Sequence, residues 1–364
     1  MAIQLPIAKP SPSPTVTMSE IPIPSPTPQP NTSKSVEPSL PTITFDNLFE
    51  NRRLVSTVAW NRIHQAYLRT NFVEPNITVY TGPNTKPVVS DAYLLLSAVS
   101  RVFQDEQTPK SYVIINYSKK DLQWGIDKAI ELMGKAEWDK MVSVHGGPMV
   151  KCNSDTCNDG DAYVTSNGVA YLATSVATNP NEIQLREAQK AQGEFVEFYH
   201  SMQQYFYAIN HSYKPQVGRL RASNEPPFWL NIGGEGIASS MFYLEKNDNT
   251  YYKGLMSGNL YWAGQVYPDF SYDKIYQYLD ISNLNNYWSD FTCCETGKMA
   301  NMVGTPTLNI LIAIKGPSVM LSFHREMSKG RGFEEVFKSE FGLTWQEAQP
   351  IMAKVIWDEY QNGY

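Results

Sequence analysis

Residues 179–211 read as one long amphipathic helix, and a helix of that length dictates what the rest of the chain can pack around. Asn179 is placed to cap it, Pro180 takes the first helical position, where a missing N–H costs nothing, and Glu182 completes an Asn-x-x-Glu capping box. Ala188, Ala191, Phe195, Phe198, Met202, Phe206 and Ile209 recur at three- and four-residue spacing and form one apolar face. A second face, rotated by roughly 120°, carries Val196, His200, Gln203 and Tyr207. A helix apolar on one side and mixed aromatic-polar on the other belongs between a core and a cleft. The second face is where chemistry is expected.

The centre of this helix reads Val196-Glu197-Phe198-Tyr199-His200-Ser201-Met202-Gln203. A histidine at position 196 would make it His-Glu-x-x-His, the zinc helix of metallopeptidases, in which two imidazoles one turn apart ligate the metal and the glutamate polarises its water. Valine coordinates nothing. Two readings therefore stand: a zinc helix that has lost a ligand, or an ordinary pair, Glu197 and His200, at i,i+3 on a half-buried surface.

A chain of 364 residues can hold one large domain or two smaller ones. The net charge of −6 and the lack of any basic run argue against a nucleic-acid surface. No apolar run reaches the roughly 18 residues of a membrane span, and no basic-then-apolar signal follows Met1. Residues 1–42 hold eleven of the 24 prolines in repeated Ser-Pro, Thr-Pro and Ile-Pro pairs, the composition of a disordered, extended linker. Linkers of this kind tether domains to cell envelopes, so an extracellular or envelope location is expected, with the export signal already removed. A local disulfide between Cys152 and Cys157, which enclose the polar turn Asn-Ser-Asp-Thr, fits that compartment. The same spacing could supply half a zinc site, but the other half would be the vicinal pair Cys293-Cys294, whose side chains diverge.

The folded part is expected to span residues 43–364, an α/β subdomain over 43–212 and a helical one over 213–364. Helices are read at 54–69 and 91–104, and strands at 77–80 and 112–117, the second by its β-branched run. Ser118 is placed to cap a helix over 119–133, with Asp121 at its third position. Strands at 162–165 and 169–174 flank a Ser166-Asn-Gly turn, a hairpin signal. Residues 226–244 read as a loop entering a second apolar helix, and 251–288 show only weak periodicity. Thr305-Pro306 opens a helix that Gly316 stops; further helices lie at 319–327 and 333–340, the latter ended by Gly342. A Thr344/Glu347 capping box starts the last helix, which Pro350 is expected to kink.

This order of strands, zinc-type helix, Trp-bearing loop, second helix and all-helical end resembles the gluzincin metallopeptidases, the peptidase MA-like proteins in particular. Tyr199-His200-Ser-Met-Gln203 matches that family's Tyr-His-x-x-Gln. Residues Arg331 to Gly342, followed by Leu-Thr-Trp-Gln-Glu-Ala348, are similar to its Gly-x-x-Phe-x-x-Ala-Phe-x-x-x-Phe-Gly pattern. The family's third ligand is a glutamate in Trp-Leu-x-Glu-Gly-x-Ala. Aligning Trp229-Leu230 with it puts Ile232 at the ligand position; shifting by three gives Glu235-Gly-Ile-Ala238 that role at the cost of a loop insertion. The first register needs no insertion, so Val196 and Ile232 are expected at former ligand positions.

The resemblance implies an α+β, zincin-like fold: a small N-terminal sheet with helices, a central zinc-type helix and a mostly helical C-terminal half. It also implies a catalytically inactive, exported protein without a cofactor, binding a peptide or an envelope component through the former active-site cleft. Tyr199, Gln203, Tyr207 and Trp229 are the expected cleft residues. The alternative is a divergent zinc peptidase with Glu197 as its base and His200 and Glu235 as ligands.

Overall fold

The structure, a computed structural model, describes residues 40–70, 72–87, 92–145, 160–179, 181, 192–211, 213–216, 219–222, 226–282 and 299–363. The Pro-rich residues 1–39, all four cysteines, Pro180 and Glu182 lie outside them. The class is mixed α+β, as expected, with a four-stranded sheet and twelve helices among the described residues.

Strands β1 (Asn76–Thr81), β2 (Ser111–Tyr117), β3 (Gly160–Val164) and β4 (Val169–Ser175) pair in the order β1-β2-β4-β3. β1, β2 and β4 run parallel, and β3 is antiparallel to β4 with Tyr163 opposite Tyr171. The expected hairpin forms, and Gly168 takes the left-handed conformation, φ 82°, that its turn requires. Side chains of β2 alternate between two cores. Tyr112 and Ile114 join the main cluster, while Ile115 and Tyr117 face a smaller one built with Ala129, Trp138 and Met141. Those last three come from α3 (Leu122–Met133) and α4 (Lys135–His145). The small cluster lies on one face of the sheet; the main one begins on the other.

That main cluster runs from Ile43 to Ile356 and so spans both halves of the chain. It takes in α1 (Val55–Tyr67), α2 (Ala92–Val102), the central helix α5 (Gln192–Ile209) and α6 (Phe228–Ser240). α7 (Thr250–Val266), α8 (Tyr272–Tyr278), α9 (Gly304–Lys315), α10 (Val319–Met327), α11 (Phe333–Phe341) and α12 (Trp345–Asn362) complete it. A small hairpin, β5 (Tyr213–Gln216) and β6 (Arg219–Ala222), follows α5.

Phe195, Phe198, Met202 and Phe206 of α5 are buried, with Phe198 stacked on Tyr112 of β2 at 4.3 Å between centroids. The apolar face read from the sequence thus docks the helix on the sheet. At the far end of the stretch, Asn179 Oδ1 accepts a hydrogen bond from the Asn181 N–H at 2.9 Å; residues 182–191, over which the helix is read to run, lie outside the described residues.

Three departures have physical causes. Ser118 makes no capping hydrogen bond to the turn Lys119–Asp121. Asp121 instead accepts from Asn84 N–H and Nδ2 at 2.8 Å and from Thr85 Oγ1, tying α3 to the loop after β1. Residues 228–240 are already helical although they contain Gly233, Gly234 and Gly236. The glycines let α6 approach its neighbours closely: a Cβ on Gly234 would meet Tyr199 of α5, and one on Gly233 the backbone of Gly304. Packing offsets their low propensity. Finally, the weakly periodic 251–288 contains α7, 17 residues long, whose buried side is only Tyr252, Met256, Leu260 and Ala263.

The last helix begins as read. Thr344 accepts from the Glu347 N–H at 3.3 Å while Glu347 accepts from the Thr344 N–H at 2.7 Å, and Pro350 lies inside α12. Thr344→Ala is expected to lower unfolding free energy by about 1 kcal/mol, read as a shift of the urea midpoint at unchanged slope.

Candidate charged site on the central helix

Glu197 and His200 lie one turn apart on α5, and α6 crosses that helix so that Glu235 reaches the same imidazole. Glu235 Oε1 is 2.5 Å from His200 Nε2, and Glu197 Oε2 is 3.6 Å from Nδ1. Each ring nitrogen therefore faces a different carboxylate. The His200 side chain is 32% exposed, against 17% for Glu197 and 14% for Glu235, so the cluster opens to solvent through the imidazole. β3 begins beside it: a Cβ on Gly160 would come within 2.7 Å of Glu197 Cγ.

Burial works against a charge on His200, but the fields and hydrogen bonds of Glu235 and Glu197 outweigh it and hold its pKa well above the usual value. When protonated, the imidazole lies between two carboxylates and both of its nitrogens donate.

This donor set does not fit a catalytic zinc ion. Such sites use three protein ligands converging on one point, whereas the carboxylates here address opposite nitrogens of one ring. Val196, half-buried one turn before His200, has no donor to add. Among the described residues no group of three or more His, Cys, Asp or Glu is arranged to hold a metal ion.

The two registers for the second helix have different outcomes in space. Glu235 faces His200, while Ile232 is 5% exposed and packs in the main core. The three residues that separate them are absorbed by helical geometry, not by a loop, because residues 229–235 are continuous helix.

The four expected cleft residues are interior, and this corrects the sequence reading. Tyr199 is fully buried and donates to the Met320 carbonyl at 3.0 Å, pinning α5 to α10. Gln203 is 4% exposed, with Nε2 reaching the Asn231 carbonyl at 3.5 Å. Trp229 is stacked on Trp345 at 5.3 Å and meets Phe333 edge-on. Tyr207 is buried with its hydroxyl 3.4 Å from His324 Nδ1. The aromatic-polar face of α5 was read as facing a cleft; α6 and α10 cover it instead.

His324 itself escaped the sequence reading. It is 2% exposed on α10, its Nε2 has no hydrogen-bond partner among the described residues, and burial, with a smaller push from the His200 charge, lowers its pKa to about 3. One histidine among apolar residues gives no signal in a sequence. Its contact with Tyr207 appears only once α10 packs on α5.

Comparison of the sequence with family models and with curated proteins, and of the fold with solved structures, gives no match. No single helix among the described residues is long and apolar enough to cross a membrane.

Proposed function

We propose that this chain is a metal-free, zincin-like binding protein in which the imidazolium of His200 takes the place of the metal cation. In a peptidase of the resembled family, a dication would sit against the helix glutamate and a glutamate of the next helix. Here the imidazole of His200 lies between Glu197 and Glu235, and that single observation carries the reading; the two carboxylates raise its pKa and so favour its charged form. A protonated imidazole satisfies both carboxylates electrostatically, so the helix glutamate persists without any water to activate. The partner is an extended peptide or an envelope component, held where β3 meets α5 beside the cluster. An extracellular or envelope location belongs to the same proposal.

A second reading has its own support. Glu235 and His200 lie side by side on adjacent helices, and parting by less than about 1 Å would let them share one ion, which keeps a divergent zinc peptidase in play. One experiment separates them. The purified chain is incubated with a mixed peptide pool, with and without added zinc; metal is measured by elemental analysis and the peptides by mass spectrometry. The binding-protein reading expects well under one zinc per chain, retention of intact peptides, and no cleavage in the wild type or in Glu197→Gln. About one zinc per chain, with cleavage abolished by Glu197→Gln, would establish the hydrolase instead.

A further inference from the structure

We propose that the groove between α1 and the α9–α10 turn binds a small organic anion with a compact apolar body. A cavity of about 240 Å³ lies there. That is below the roughly 300–1,000 Å³ of drug-sized sites, so the occupant is small. Among its thirteen lining residues, Ala66, Val102, Phe103 and Pro317 are buried and apolar. None of its lining residues belongs to the Glu197–His200–Glu235 cluster, so this inference does not depend on the function proposed above.

The rim is cationic, and the excess survives a count of partners. Arg69 is neutralised by Asp105, and Glu106 is held by Arg325. Arg62 is half-buried and forms no ion pair with any described residue, and Lys315 is exposed with the aromatic face of Phe341 near its ammonium at 6.0 Å. Both line the cavity, and neither has an acidic partner among the described residues. Gly316, at φ 94°, turns the chain beside Arg62, and a Cβ there would lie 4.0 Å from Nη1, in ordinary contact. Ser318 follows, exposed and without a side-chain capping bond at the start of α10.

Side chains, not the helix start, would hold the ligand. The Val319 and Met320 N–H groups are already spent on the carbonyls of Gly316 and Pro317. A guanidinium takes a carboxylate through two parallel hydrogen bonds, which a single ammonium cannot do. Arg62 therefore receives the anionic group, Lys315 adds charge, and the buried apolar residues take the apolar body.

The test is a titration of the full chain, followed calorimetrically, with N-acetylphenylalanine, with its amide and with inorganic phosphate. The acid is expected to saturate one site, the amide to give no binding, and phosphate to bind more weakly than the acid. Arg62→Gln should weaken the acid at least tenfold and Lys315→Gln severalfold. Position 315 is exposed, so the second variant keeps the test valid should the first fail to fold. Absence of saturable binding by the acid, equal binding of the amide, tighter binding of phosphate, or unchanged affinity in both variants would each overturn the proposal.

Discussion

Gly304→Ala is expected to destabilise the protein by about 3 kcal/mol, the upper end of the range for overpacking. The reason is the crossing of α6 and α9. A Cβ at 304 would sit 2.4 Å from the Trp229 carbonyl oxygen, and one at 233 would sit 2.6 Å from the Gly304 carbonyl. Both obstacles are backbone atoms in the middle of the core, so no side-chain rotation relieves them, and the helices themselves must separate. Separation would also disturb Trp229, whose stacking on Trp345 joins α6 to the last helix. The comparison variant is Gly258→Ala on α7, where a Cβ would meet nothing within 4 Å. There the substitution should stabilise by up to about 1 kcal/mol through helix propensity alone. Urea midpoints measured side by side test both signs. A Gly304→Ala protein as stable as the wild type would mean that the two helices do not cross this closely.

Where the sequence is legible, the cause is local. Gly316, Gly342 and the Thr344/Glu347 box end or start helices through backbone geometry within four residues, and each acts where it was expected. The β-branched run of β2 and the period-3.6 pattern of α5 are also local; the first marks the strand and the second the face that is buried. The glycines of α6 and the sparse apolar side of α7 depend on what packs against them, so propensity misread the first and periodicity missed the second. The same division runs through the site. Glu197 and His200 come together because they are three residues apart on a helix, which a sequence displays directly. Glu235 joins them across a helix crossing, and helical geometry decides between it and Ile232. Burial of Tyr199, Gln203 and Tyr207 follows from α6 and α10 packing on α5, and that of Trp229 from α11 and α12 packing on α6.

His324 and His200 are expected to give the protein opposite pH limbs, one acid and one alkaline. His324 has a folded pKa of about 3, set first by burial and then by the His200 charge. In the unfolded chain the same group titrates near 6.5. Between those values the unfolded state binds more protons than the folded one, so stability rises with pH across that window. The contribution is complete above pH 6.5 and is lost as pH falls toward 3, a change on the order of 5 kcal/mol. His200 works the other way. Its folded pKa is raised by Glu235 and Glu197 against the effect of burial, so its contribution is present below pH 6.5 and fades as pH climbs through the raised value. Replacing His324 with phenylalanine removes the proton site while keeping a ring beside Tyr207. That variant should show a much flatter decline in melting temperature from pH 6.5 to 4. His200→Gln should leave most of the acid limb and flatten the alkaline one. A His324→Phe protein that loses stability in acid as steeply as the wild type would assign the acid limb to other groups and remove His324 from the interior polar contacts of α5.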